Sequence, residues 1–215
     1  MSYYLHITRS YVEKFGDYGY PEIIIYSVNL KNYHQWRDEN RWDLISEDLI
    51  KAANKLEAAG AELGLIATNT MHKVFNQVQS KVSLPLINLI EATAQEVQLK
   101  GITTVALLGT KFTMSEDFYI DGLRSRGLSV LVPSLADQAC IHQIIVDELV
   151  RGVISAASKQ QYLDIINKLK LQGAEGVILG CTEIPLLIKA EDCDITVIDT
   201  ATLHAEAALL RAISR

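Results

Sequence analysis

The sequence predicts an α/β protein with parallel sheets, built from two similar halves. Short continuous apolar runs alternate with longer amphipathic stretches, and a Gly-Ala-Glu unit recurs at matching places in that alternation. Continuous apolar runs mark strands covered on both faces, whereas a strand with one wet face would alternate. No Gly/Ser/Pro-rich linker divides the 215 residues, so the halves are expected to pack closely.

Strands are expected at Glu22–Val28, Leu63–Ala67, Leu84–Asn88, Thr103–Gly109, Ser129–Val132, Gly176–Gly180 and Ile195–Ile198. Between them, Asp43–Ala59 places Leu44, Ile45, Leu49, Ile50, Ala53 and Leu56 on one helical stripe. Asp43 is expected to cap that helix and Gly60 to end it. Tyr162, Ile165, Ile166 and Leu169 repeat the pattern in a helix that stops before Gly173.

The repeat organises the chain. Gly60-Ala61-Glu62 leads into a strand and then Thr68-Asn69-Thr70, and Gly173-Ala174-Glu175 leads into a strand and then Cys181-Thr182-Glu183. The spacing from glycine to the first polar residue is the same in both copies, and each follows an amphipathic helix. The first half is read as residues 1–100 with the C-terminal helical region 200–215, the second as residues 101–199. Thr68 and Cys181 then stand at equivalent strand C-termini, where open α/β sheets bind ligands, and the two turns are expected to face one another across a cleft. Tyr119 precedes Gly173 by nearly the distance that Tyr4 precedes Gly60, yet no strand ahead of Tyr4 matches Val105–Gly109. The first half is therefore expected to have one strand fewer, through a start codon set too late or a truncated chain.

Composition narrows the function. A net charge of -6, a pI near 5.4 and no run of Lys or Arg exclude nucleic acid and anionic membrane as main partners. No apolar stretch is long enough to span a bilayer, and Met1-Ser2-Tyr3-Tyr4 has no signal-peptide character. Three widely spaced cysteines read as reduced thiols, which points to the cytoplasm. No Cys or His pair has ligand spacing, and no glycine-rich phosphate loop follows a strand; neither a metal nor a cofactor is expected.

Cys181 leads the candidates for chemistry. It follows Gly180 at a strand end, before Thr182 and Glu183, where backbone N–H groups and a helix start are expected to lower a thiol pKa. The plainer alternative is a strand-end cysteine acting as a small hydrophobe. Asn69 and Thr70 are suited to holding a carboxylate, or to capping the helix after them, and both roles are compatible. His72 reads as a helix residue, Thr110 and Thr113 as further lining, and Cys140 and Cys193 as structural or incidental.

Gly180-Cys181-Thr182-Glu183, Thr68-Asn69-Thr70-Met71-His72 and Ala106-Leu107-Leu108-Gly109-Thr110 resemble the three sequence blocks of the aspartate/glutamate racemase family, over essentially the whole chain. The first-turn block is most like the broad-specificity amino-acid racemase branch. The resemblance implies two pseudo-symmetric α/β domains with the active site between them and a homodimer. It also implies cofactor-independent racemisation of a small amino acid, aspartate, glutamate or a broader set.

Family members carry one cysteine in each turn, on either side of the substrate Cα; here Thr68 replaces the first. Cys181 and Thr68 are thus the expected catalytic pair, with Asn69, Thr70, Met71, Thr110, Thr182 and Glu183 around the substrate and the L-isomer preferred. The family's opening strand and Gly-Gly-Met loop have no counterpart. Arg37 or Arg41 would meet an acidic side chain, but Val150 falls near the family's lysine, which argues against strict aspartate specificity. Two alternatives remain: a homologue that binds without turnover, and a cysteine hydrolase using Cys181 with His72 or His204.

Overall fold

The protein is described by a computed structural model covering residues 2–214. Among the described residues six strands form two sheets: β1 (Gly64–Leu65) with β2 (Leu86–Ile87), and β3 (Thr104–Gly109), β4 (Ser129–Leu131), β5 (Gly176–Gly180) and β6 (Thr196–Asp199) in the order β4-β3-β5-β6. Every strand pair is parallel, as continuous apolar runs require. The chain divides into two compact units. One comprises residues 1–67, 71–88 and 204–215; the other comprises residues 89–203 together with Thr68–Thr70.

In the second unit the sheet is covered on both faces. Ala106, Leu108, Val177 and Leu179 point into a cluster with Ile141, Tyr162, Ile165, Ile166 and Leu169. Their neighbours Val105, Leu107 and Ile178 point the other way, against Leu89, Ile90, Val97, Tyr119 and Leu123. The period of two along each strand thus feeds two cores. The recurring glycines do their expected work: Gly60 and Gly173 both take positive φ after long helices, Trp42–Ala58 and Ala156–Leu171. In the second copy the acid of the repeated unit, Glu175, has a structural role. Its Oε2 accepts hydrogen bonds from Thr103 N, Thr104 N and Thr103 Oγ1, tying the loop before β5 to the start of β3.

Two expectations fail. Asp43 is not the cap of its helix: Arg41 holds the cap position, and Asp43 lies inside the first turn, paired with the Arg41 guanidinium. An acid there still favours the positive helix N-terminus. The expected strand Glu22–Val28 is the second failure, since those residues pair with nothing in a sheet. The repeat matches β1 to β5, each following its Gly-Ala-Glu unit. In the second sheet β4 pairs only with β3. Among the described residues the first unit has no equivalent of β3, so the segment has no ladder to join. Ile24, Ile25 and Tyr26 are left 46%, 66% and 43% exposed.

The first unit's core gathers Tyr33, Ile45, Ile66, Met71, Val74, Phe75 and Val78. Beside it, Ile7 packs on Ala205 and Leu209 of the helix Thr200–Ile213.

Candidate functional site

Strand register brings the expected blocks together. Leu108 pairs with Leu179 and Gly109 with Gly180, so Thr110 and Cys181 leave adjacent parallel strands at the same end. The glycines before them are required by space. A Cβ on Gly109 would lie 2.8 Å from the Gly180 carbonyl oxygen, and one on Gly180 would lie 2.9 Å from the Leu108 oxygen. Side chains are therefore excluded where β3 and β5 come closest.

Cys181 is buried, and its thiol donates to Glu183 Oε2 at 3.0 Å; the same oxygen accepts from Thr182 Oγ1 at 2.7 Å. The pKa differs in direction from the sequence expectation. Burial pushes the thiol well above its ordinary value, the Glu183 charge and hydrogen bond add to this, and the backbone N–H groups of Glu183 and Thr182 oppose it without prevailing. At neutral pH the group is a thiol, and once ionised it is a strong base.

The first-turn residues Thr68–Thr70 belong to this same unit, although the sequence on either side of them does not. The hydrogen bonds explain why. Thr70 Oγ1 lies 3.2 Å from Thr110 Oγ1, which is 3.3 Å from Thr113 Oγ1, a run of hydroxyls at the exit of β3. Asn69 is buried with both ends of its amide engaged. Its Oδ1 accepts from Tyr119 Oη at 3.0 Å, and its Nδ2 donates to Thr200 Oγ1 at 3.1 Å. Thr200 in turn donates to the Leu179 carbonyl at 2.8 Å, two residues before Cys181. Tyr119 and Thr200 were not singled out from sequence as site residues. Their partners lie 50 and 131 residues away, and no local pattern marks such a contact.

The other candidates are placed as follows. Met71 is buried in the first unit's apolar cluster beside Ile66 and Phe75. His72 sits in the 3-10 turn Thr70–Val74, stacked on Phe75. Arg37 Nη2 meets Asp38 at 2.9 Å, Arg41 is paired with Asp43, and Val150 is exposed. Cys140 lies within the helix Leu135–Asp147, and Cys193 follows the turn Ala190–Asp192.

His204 is fully buried, with both ring nitrogens occupied. Nε2 donates to the Ile87 carbonyl at 2.9 Å, so Nδ1 must accept from Tyr3 Oη at 3.0 Å. Burial lowers its pKa from 6.5 to about 4, leaving it neutral. The unfolded chain binds a proton near pH 6.5 that the folded chain refuses until about 4, so this contribution to stability is complete above 6.5 and lost as pH falls through that window. The loss amounts to roughly 3 kcal/mol. Urea unfolding of wild type and His204→Asn across these pH values should show the extra acid-side loss only in wild type; equal pH slopes would refute the assignment.

Three comparisons locate the chain among known proteins. Residues 2–208 match the Asp/Glu/hydantoin racemase family. The structure of an aspartate racemase homologue from Pyrococcus horikoshii is 42% identical, with a TM-score of 0.86, covering 99% of this chain and 92% of that one. A candidate Asp/Glu racemase from Yersinia pestis is 38% identical with a TM-score of 0.92, covering 99% and 93%. The broad specificity amino-acid racemase RacX of Bacillus subtilis is 24% identical over 195 residues, 89% of this chain and 82% of its own length. With Thr68–Thr70, Thr110 and Cys181 brought into one unit at the exits of parallel strands and a family match over nearly its full length, the chain belongs to the Asp/Glu/hydantoin racemase family.

Proposed function

We propose that this protein racemises a small amino acid without a cofactor, with Cys181 as the base that works on the L-isomer. The observation that carries the reading is the Cys181 thiol held at 3.0 Å from the Glu183 carboxylate, at the end of β5. Loss of the thiol proton to solvent leaves a buried thiolate flanked by the N–H groups of Thr182 and Glu183. The thiolate removes the Cα proton, forming S–H and a carbanion whose charge spreads into the substrate carboxylate. Donors of the Thr68–Thr70 and Cys181–Glu183 turns, with the Thr110 hydroxyl, stabilise that charge.

Reprotonation on the opposite face comes from the Thr68 hydroxyl, directly or through a water, and the hydroxyl recovers its proton from solvent. A threonine hydroxyl is a far weaker base than a thiolate, so L-isomers are the better substrates. The engaged amide of Asn69 fits a role in shaping its turn, leaving backbone N–H groups and hydroxyls to meet the substrate. The protein acts in the cytoplasm as a homodimer, and the absence of a matched lysine at Val150 favours a substrate range wider than aspartate.

Incubation in deuterated water should place deuterium at Cα of L-aspartate or of a neutral amino acid such as L-homoserine, faster than at Cα of the D-isomers. Equal exchange of both enantiomers would refute the asymmetry between Cys181 and Thr68. No exchange in any amino acid would instead favour a homologue that binds without turnover, the reading to which Thr68 lends most support.

A further inference from the structure

Resting on that reading, we infer that Tyr119 and Thr200 are positioning residues that hold the Thr68–Asn69–Thr70 turn at the reaction centre. Neither meets the substrate in this scheme; both act through Asn69. The hydrogen bonds form one directed chain, from Tyr119 Oη to Asn69 Oδ1, from Asn69 Nδ2 to Thr200 Oγ1, and from Thr200 Oγ1 to the Leu179 carbonyl. Both hydroxyl protons and one N–H of Asn69 are directed to the next acceptor, so the chain has one polarity and the Asn69 amide one orientation.

All the side chains in it are buried: Tyr119 and Thr200 are 0% exposed and Asn69 is 3% exposed. Burial also raises the Tyr119 phenol far above its usual range, so it keeps its proton and remains a donor at every working pH. Water cannot replace a partner lost from such a chain without being buried itself, so a deletion leaves an unsatisfied group at the turn.

The chain ends on the carbonyl of Leu179, in the strand that delivers Cys181. On its other side the turn is tied through Thr70 to Thr110, where β3 ends. One turn is thus referenced to both strand exits, the arrangement needed if a group at residue 68 and a thiol at residue 181 are to address two faces of one carbon. Reacting groups lose rate steeply with small displacements, so loosening this tie should harm the Thr68 side more than the Cys181 side.

The test separates positioning from mere stability. In Tyr119→Phe, amide hydrogen exchange in peptides spanning Thr68–Met71 should quicken about ten-fold relative to peptides from β3. The ratio of racemisation to Cα deuterium exchange of the L-isomer should also fall about ten-fold, because Cys181 still removes and returns protons while delivery from the other face fails. General destabilisation would lower both rates together and leave their ratio unchanged. Thr200→Val should repeat both effects and Thr200→Ser should restore both, which covers the case in which Tyr119→Phe does not fold.

Turn exchange as slow as in wild type overturns the inference, and so does a quickened turn with an unchanged ratio. If wild type racemises nothing, the proposed function fails by itself. The hydrogen-exchange readout alone then decides whether Tyr119 and Thr200 hold the turn.

Discussion

Cys181→Ala is expected to lower racemisation and L-isomer Cα exchange by about a thousand-fold or more, the contribution of a positioned acid–base group. The buried thiol at the end of β5, held 3.0 Å from Glu183, becomes a strong carbon base once it ionises. Cys181→Ser should fall almost as far. A serine hydroxyl can keep the hydrogen bond to Glu183, but its pKa lies far above that of a thiol. The Ser variant should therefore lose kcat and largely retain KM, since what it lacks is needed only in the transition state.

Because burial and Glu183 raise the thiol pKa, wild-type activity should climb as pH rises into the alkaline range, a limb absent from both variants. Cys140→Ser and Cys193→Ser should change little. Cys140 is partly buried on a helix with Gln161 as its partner at 3.7 Å, and Cys193 closes a surface turn. The measurement is steady-state racemisation with parallel Cα deuterium exchange. Activity surviving in Cys181→Ser and vanishing in Cys140→Ser would reverse the assignment.

Thr68→Cys should raise D-isomer exchange by about a hundred-fold while altering L-isomer exchange far less, the gain expected from supplying a general base where none stood. In the proposed scheme the wild-type site has a thiol on one face of Cα and a hydroxyl on the other, and only the thiol ionises within reach of working pH. The substitution keeps the side chain small, and the hydrogen bonds of Asn69 and Thr70 remain to hold the turn. Exchange at Cα of L- and D-aspartate, and of L- and D-homoserine, followed separately by proton NMR in deuterated water, gives the four rates required. A D-isomer rate that does not move would place the second proton donor somewhere other than residue 68.

The parts of the fold legible in the sequence are those whose signal is local. Val105–Gly109 and Gly176–Gly180 read as strands because every residue in them is buried from one side or the other, which the apolar run records directly. Gly60 and Gly173 read as helix ends because glycine tolerates the positive φ that a helix stop needs, and both take it. Cys181 stood out through its polar neighbours and the repeated unit, and the structure sets it beside Glu183 in the same short turn.

What tertiary structure decided are the features that need a distant partner. Glu22–Val28 has the composition of a strand and forms none, since a strand exists only with a neighbour and β-propensity cannot supply one. The thiol pKa followed burial in the second unit's core, a three-dimensional quantity, rather than the local N–H groups that favour ionisation. Asn69 reads from sequence as a ligand-facing amide, yet Tyr119 and Thr200 take up both of its ends. Sequence alone marked Thr68–Thr70, Thr110 and Cys181, which the structure brings into one unit. Which of their polar atoms are spent on the protein, and which stay available, depended on long-range hydrogen bonds that no local pattern encodes, because a buried polar group takes whatever partner the packed chain brings to it.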